Sequence, residues 1–120
     1  MSGTTTQWGL FRAVLDPVIG SEQAGTRPVL VVSRETVNRV LPIAVVIPLT
    51  SRKPGRRVYS TEVLLPAGAA GQREESIAMA HQVRAISSRR LGERMGSLDD
   101  EGLRAAVRAA LRLVLDLESG

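Results

Sequence analysis

The chain has no cysteine, a single histidine, and one residue each of tryptophan, tyrosine and phenylalanine. Without cysteine there is neither a disulfide framework nor a thiolate metal site, which fits a reducing compartment. His81 alone cannot supply the ligand set that zinc requires. The acidic pairs Glu74-Glu75 and Asp99-Asp100 fall in a turn and at a helix start, where they read as solvated carboxylates rather than a two-metal site. No apolar stretch reaches membrane-spanning length, and Met1 to Gln7 is polar and uncharged, unlike a signal peptide. Scarce aromatics also limit base stacking, the usual means of gripping single-stranded nucleic acid.

What is present is an ordinary globular composition with a basic bias. At 120 residues and 43% hydrophobic content, the chain is one domain with a modest core, which oligomerisation would supplement. The net charge is +4, and fifteen of the sixteen basic residues are arginine. Residues 1–60 carry eight basic and three acidic groups, a balance of +5, whereas residues 61–120 come to −1. A basic half of this kind matches a polyanion or an acidic partner. An arginine-rich codon usage would raise the same total.

Along the chain, residues 1–7 read as a flexible tail and residues 8–120 as one domain. Trp8 to Leu15 is a strand, ended by Asp16-Pro17. Val29 to Ser33 and Ile43 to Leu49 are continuous β-branched runs, the pattern of buried strands. Pro48 within the second implies a bulge or an edge. Residues 34–41 form a polar connection with room for a helical turn. Arg52 to Arg57 is a basic turn, Val58 to Leu65 alternates loosely, and Pro66 to Gly71 is a further turn. Ser76 to Ala80 is a short strand, Ile86 to Arg90 a single helical turn, and Arg94 to Gly96 is ambiguous. A helix over about 98–118 is the clearest element. Ser97 with Asp100 forms a variant capping box, and Leu103, Val107, Ala110, Leu111, Val114 and Leu117 recur at helical spacing. Arg104, Arg108 and Arg112 form a stripe that reads as a solvated face. Five to seven short strands followed by one helix give a mainly β fold, a small partly open barrel with a C-terminal α-helix.

The most informative stretch is Gly20-Ser21-Glu22-Gln23-Ala24-Gly25-Thr26-Arg27-Pro28. A polar, glycine-bracketed loop delivers an arginine to the mouth of an apolar strand. It is not a phosphate-binding P-loop, because Thr26-Arg27 stands where Lys-Ser/Thr is required and no helix follows. The strand Ile43 to Leu49 ends in Thr50-Ser51. If the two strands pair, Arg27 and Thr50 meet at one end of a small sheet.

This loop, the two strands and Gln82-Val83-Arg84-Ala85-Ile86 resemble the MazF/PemK-like toxin ribonucleases over roughly residues 11–118. The resemblance implies an SH3-like barrel of the PemK/CcdB type, usually a homodimer, that acts as the toxin of a type II toxin–antitoxin pair. It implies an endoribonuclease acting on single-stranded RNA in the cytoplasm. The expected products are a 2′,3′-cyclic phosphate and a 5′-hydroxyl, and no metal or other cofactor is needed. Arg27 and Thr50 match the family's catalytic pair, and Gln82 and Arg84 match its Gln-x-Arg motif. RNA carries its own nucleophile, the 2′-hydroxyl, so orientation, proton transfer and charge stabilisation suffice. Arginine offers a planar fork to phosphate oxygens but is a poor base. Ser21, Glu22, Gln23 and Ser51 are candidates for orienting substrate, with Glu22, Gln23 and Ser51 also candidates for moving protons. Arg52, Arg56 and Arg57 are candidates for phosphate contact or for docking an acidic antitoxin.

One departure is visible. The family's first strand is usually preceded by Arg-Gly-Asp/Glu, where this chain has Gln7-Trp8-Gly9, so an acidic residue is missing. Two other readings stand beside the ribonuclease. One is a toxin of the same fold that binds a protein target such as gyrase, against which the intact Arg27 and Thr50 weigh. The other is a plain nucleic-acid-binding barrel, against which the missing aromatics weigh.

Overall fold

The computed structural model describes residues 5–15 and 25–118. Seven strands form one antiparallel sheet: β1 (Gly9–Val14), β2 (Thr26–Val31), β3 (Ile43–Ser51), β4 (Glu62–Leu65), β5 (Ser76–Met79), β6 (Arg84–Ser87) and β7 (Leu91–Ser97). Helix α1 (Glu35–Val40) lies between β2 and β3, and α2 (Glu101–Leu115) closes the chain. The strand order is β4-β5-β3-β2-β1-β7, with β6 also on β3, so the barrel is open, as expected for the fold class.

The nine-residue β3 organises the rest. Its Val46 to Pro48 segment pairs with β2, while β6 and then β5 pair with it along Ile43–Val46 and Leu49–Ser51. Three steps on β3 separate Val46 from Leu49, but six steps separate their partners Arg84 and Ala78. The excess is a 3-10 turn, Ala80–Gln82. Pro48, which has no N–H to give, sits where this partner bulges. The bulge that Pro48 signalled is therefore carried by the neighbouring strand. Pro28, likewise, pairs with Arg12 of β1 but lies just past the last β2–β3 pair, Val29 with Pro48. It withholds no ladder bond there.

Alternation divides the apolar residues between two faces. Leu10, Leu30, Ile47, Leu49 and Leu65 pack with Trp8, Leu98 and the α2 residues Val107 and Ala110. Ala13, Leu15, Val29, Val31, Ala44, Val46 and Ile86 form a second cluster on the other face.

Several local expectations are corrected. The cap of α2 is Asp100, whose carboxylate accepts the Leu103 N–H at 2.9 Å, not Ser97, whose hydroxyl donates to Asp99. A carboxylate one turn later is the better anion for the positive helix end. Ile86 belongs to strand β6, and only Ser88–Arg90 forms the helical turn. Residues 91–97 are a full strand, because β1 supplies a partner for it. Residues 35–40 form a complete short helix rather than a turn.

The arginine stripe is not a plain solvated face. Arg104 and Arg108 stack on the Trp8 ring at 5.3 and 5.1 Å from its centre. Their charges also meet Asp99 at 3.7 Å and Glu101 at 3.0 Å. Trp8 itself has φ +67°, a left-handed conformation in which a bulky side chain is rare. That backbone costs about 1–2 kcal/mol, while burying a large apolar side chain returns about 1.5–3 kcal/mol. Burial at 6% exposure, two stacked guanidinium groups, and backbone bonds to Val31 and Leu98 hold it there.

The N-terminal segment is anchored at its inner end. The Thr6 and Gln7 N–H groups donate to Glu35 at 3.0 and 2.8 Å, and the Gln7 side-chain amide donates to the Val32 carbonyl. Burial pushes the Glu35 carboxyl up, but these N–H bonds, the Asn38 amide and the Arg39 charge outweigh it and hold the group below its ordinary range.

Candidate active site

Arg27 lies on β2 across from Ala13 of β1. Thr50 lies on β3 across from Ile77 of β5. Both are half-buried. The β2–β3 register pairs Val31 with Val46 and Val29 with Pro48; carried two residues further on each strand, it sets Arg27 opposite Thr50. Because residues alternate between faces, Arg27 shares its face with Val29 and Val31, and Thr50 shares its face with Val46. Those valines all belong to the second cluster. The two side chains thus share one face at one end of the sheet.

Arg84 joins them on that face. It pairs with Val46 and alternates with Ile86, another member of the second cluster. Its guanidinium donates to the Leu15 carbonyl at 3.4 Å. Arg90 donates to the neighbouring Val14 carbonyl at 3.3 Å. The Leu15 N–H donates to the Gly25 carbonyl at 2.9 Å. Leu15 and Gly25 are therefore pinned together beside Arg27. Gly25, at φ +74°, takes the conformation that glycine adopts without penalty. Ser21, Glu22 and Gln23 lie outside the described residues.

Gln82 closes the Ala80–Gln82 bulge, with Val83 between it and β6. Ser51 is exposed at the end of β3 and pairs with Ser76. His81 lies within hydrogen-bonding range of the Thr61 hydroxyl at 3.4 Å.

The basic turn divides into tied and presented residues. Both Arg56 terminal nitrogens reach the Glu62 carboxylate, at 3.0 and 2.8 Å, and Glu62 also accepts the Tyr59 N–H. Glu62 is buried at the start of β4, so this bidentate pair fastens the turn to the sheet. The Arg56 hydrogen bonds hold the Glu62 carboxyl below its ordinary range against the opposing effect of burial, with the Tyr59 N–H and the Arg56 and His81 charges adding to the lowering. Arg56 is raised in turn, first by its hydrogen bond to Glu62. Arg52 donates to the Arg56 carbonyl and pairs with Glu75 at 3.5 Å. Arg57 is exposed and stacks on exposed Tyr59 at 5.0 Å. Lys53 is exposed as well.

Sequence reasoning did not anticipate Glu62 or Arg90. Glu62 lies in a loosely alternating segment and becomes an anchor only when β4 pairs with β5. Among the described residues no group of three or more His, Cys, Asp or Glu gathers as a metal-binding set.

These features coincide with a known family. The model for the PemK-like, MazF-like toxins of type II toxin–antitoxin systems matches residues 6–115, and the chain belongs to that family. Endoribonuclease EndoA of Bacillus subtilis (strain 168) is 37% identical over 92 residues, which are 77% of this chain and 78% of EndoA. The crystal structure of MazF from Deinococcus radiodurans superposes with a TM-score of 0.77 at 31% identity, covering 92% of this chain and 94% of that one. A MazE–MazF crystal structure from the same organism superposes at 0.71 and 29% identity, covering 98% of this chain and all of the matched one (100%).

Proposed function

We propose that this chain is the toxin of a type II toxin–antitoxin pair, a metal-independent endoribonuclease that cuts single-stranded RNA in the cytoplasm. The observation that carries this is the placement of Arg27 and Thr50 on adjacent strands, on one face, in a chain of the MazF/PemK family. The scissile phosphate lies between them. The Arg27 fork binds its non-bridging oxygens and stabilises the extra charge of the transition state. The Thr50 hydroxyl donates to the same group. The RNA 2′-oxygen attacks the phosphorus as its proton leaves to a base, and the 5′-oxygen departs and is protonated. The ends are a 2′,3′-cyclic phosphate and a 5′-hydroxyl. Arg27 does not take the proton, because a guanidinium offers five donors and no acceptor. Of the loop candidates Ser21, Glu22 and Gln23, only Glu22 carries a carboxylate for that role. Gln82, Arg84 and Ser51 orient the RNA strand. Among the described residues no helix is long and apolar enough to cross a membrane.

The same chain acts as a homodimer, silenced by a cognate acidic antitoxin. MazF of D. radiodurans crystallises with MazE. In this chain the exposed Lys53 and Arg57 present charge to such a partner, whereas Arg56 is committed to Glu62. The test is purified protein on a defined single-stranded RNA in excess EDTA, with the new ends analysed. Cleavage that leaves 5′-hydroxyl ends supports the reading. Activity abolished by chelator and restored by Mg²⁺ overturns it.

A further inference from the structure

The strongest unassigned feature lies just past Thr50, on the opposite face of the sheet. A cleft of about 430 Å³ is lined by Ser51, Gln72, Arg73, Glu74, Ser76 and Met95, with Gly71 at its wall. That volume falls within the range of small-ligand sites, about 300–1,000 Å³. The wall is firmly built. A Cβ on Gly71 would come within 2.5 Å of the Met95 carbonyl, and one on Gly96 would strike the Ala70 carbonyl, so the 69–71 turn and β7 are in close backbone contact. Ala70 and Gly71 both have left-handed backbones, at φ +55° and +81°. At Ala70 that backbone is strained and persists only where the surroundings impose it.

We infer that this cleft reads one nucleobase beside the cleavage site, and that the base is guanine. This rests on the endoribonuclease reading above. Thr50 and Ser51 are consecutive residues of β3, about 3.8 Å apart at Cα, and their side chains project to opposite faces. RNA held by a phosphate at Thr50 therefore passes over the end of β3, and a neighbouring base turns out of the stack into the cleft. Single-stranded RNA is ordinarily read this way, with splayed bases hydrogen-bonded along their edges. Splaying also frees the backbone from helical geometry, which the in-line approach of the 2′-oxygen requires.

The lining selects among the bases. Half-buried Met95 gives a soft apolar surface for a ring face in a molecule with few aromatics. The Arg73 fork matches two adjacent acceptors, and guanine offers O6 and N7. The Glu74 carboxylate accepts from two adjacent donors, and guanine offers N1–H and the N2 amino group. Cytosine lacks the donor pair, and adenine and uracil lack both. The Gln72 amide and the Ser51 hydroxyl complete the rim. Ser76 is buried, and its hydroxyl donates to the Glu74 carbonyl at 3.4 Å, which fixes the backbone that carries the carboxylate.

The experiment digests a randomised single-stranded RNA pool with wild-type, Arg73→Ala and Glu74→Gln proteins and sequences the 5′ ends. Melting curves confirm that all three are equally folded. The wild type should enrich guanine at one position within two nucleotides of the cut. Each variant should lose that preference by about tenfold or more while preferences elsewhere persist. Enrichment of a different base there, a preference unchanged in both variants, or a uniform loss of cleavage at all sites would overturn the assignment. A separate arm uses Thr50→Ala protein and two labelled RNA hexanucleotides, one of adenine only and one with a single guanine. Tighter binding of the guanine probe that disappears when Arg73→Ala is added supports the cleft, even if the wild type cuts nothing and the endoribonuclease reading itself fails. Equal binding of the two probes overturns it.

Discussion

The two faces of the sheet are built to different rules. On one face Leu10, Leu30, Ile47 and Leu49 lie beneath α2, whose arginines stack on Trp8 and whose first turn is capped by Asp100. On the other face Ala13, Leu15, Val29, Val31, Ala44, Val46 and Ile86 make a second cluster, with Arg27, Thr50 and Arg84 on the same face. The first face ties one element to another with bulky side chains and redundant contacts. The second is mainly alanine and β-branched residues around Leu15, and polar groups stand at the ends of its strands. The difference teaches that the packing of α2 and the proposed Arg27–Thr50 pair belong to opposite surfaces of the same strands, separated by a single-residue step.

The division can be broken from either side. The largest effect is expected at Trp8. Trp8→Ala should lower unfolding free energy by roughly 3–5 kcal/mol, measured by denaturant titration, while the rate per folded molecule stays near wild type. A variant that keeps its stability would show that α2 does not depend on this ring. Next come Arg27→Ala and Thr50→Ala. Each should cut the cleavage rate by roughly 10²–10³, with a melting curve close to wild type. A folded Arg27→Ala enzyme with near-normal turnover would remove the site from this face.

A pH-dependent loss is expected at Glu62. Its folded carboxyl lies below the unfolded value, so its contribution is complete above the ordinary carboxylate pKa of about 4.3 and disappears as pH falls through the lower folded value. Glu62→Gln should destabilise the protein at neutral pH and flatten the acid limb of its stability curve. An unchanged acid limb would mean that the Arg56 pair contributes nothing net. The smallest changes sharpen the comparison on the helix face. Asp100→Ala should cost about 1 kcal/mol. Trp8→Gly should be more stable than Trp8→Ala by about 1 kcal/mol, because the left-handed backbone penalises alanine; the reverse order would refute that account.

Much of this was legible in the residues. The β-branched runs marked β2 and β3, helical spacing marked α2, and the loop motif with a strand-ending threonine marked Arg27 and Thr50. Strands β6 and β7 were obscured because their exposed positions hold arginine, glycine and glutamate, as in Leu91-Gly92-Glu93-Arg94, so alternation is weak until β3 and β1 supply partners. Strand β2 starts before Pro28 because the β1 ladder continues beside it through Thr26. The shared face of Arg27, Thr50 and Arg84 needs strand register, which propensity does not encode. Arg56 read as a candidate for phosphate contact or antitoxin docking because its carboxylate partner sits in another element.

The Ala80–Gln82 bulge has a consequence for the lineage as well as for the fold. Three extra residues are an odd number, and an odd insertion inverts the phase of a two-residue repeat. Before the turn, Ala78 points into the helix-covered core; after it, Arg84, also even-numbered, points to the site face. The turn works as a half-period shifter on an otherwise continuous strand. Losing or gaining one residue there would send Arg84 beneath the helix and Ala85 to the site, a buried charge and an empty site at once. Length changes at this turn among relatives should therefore come in pairs.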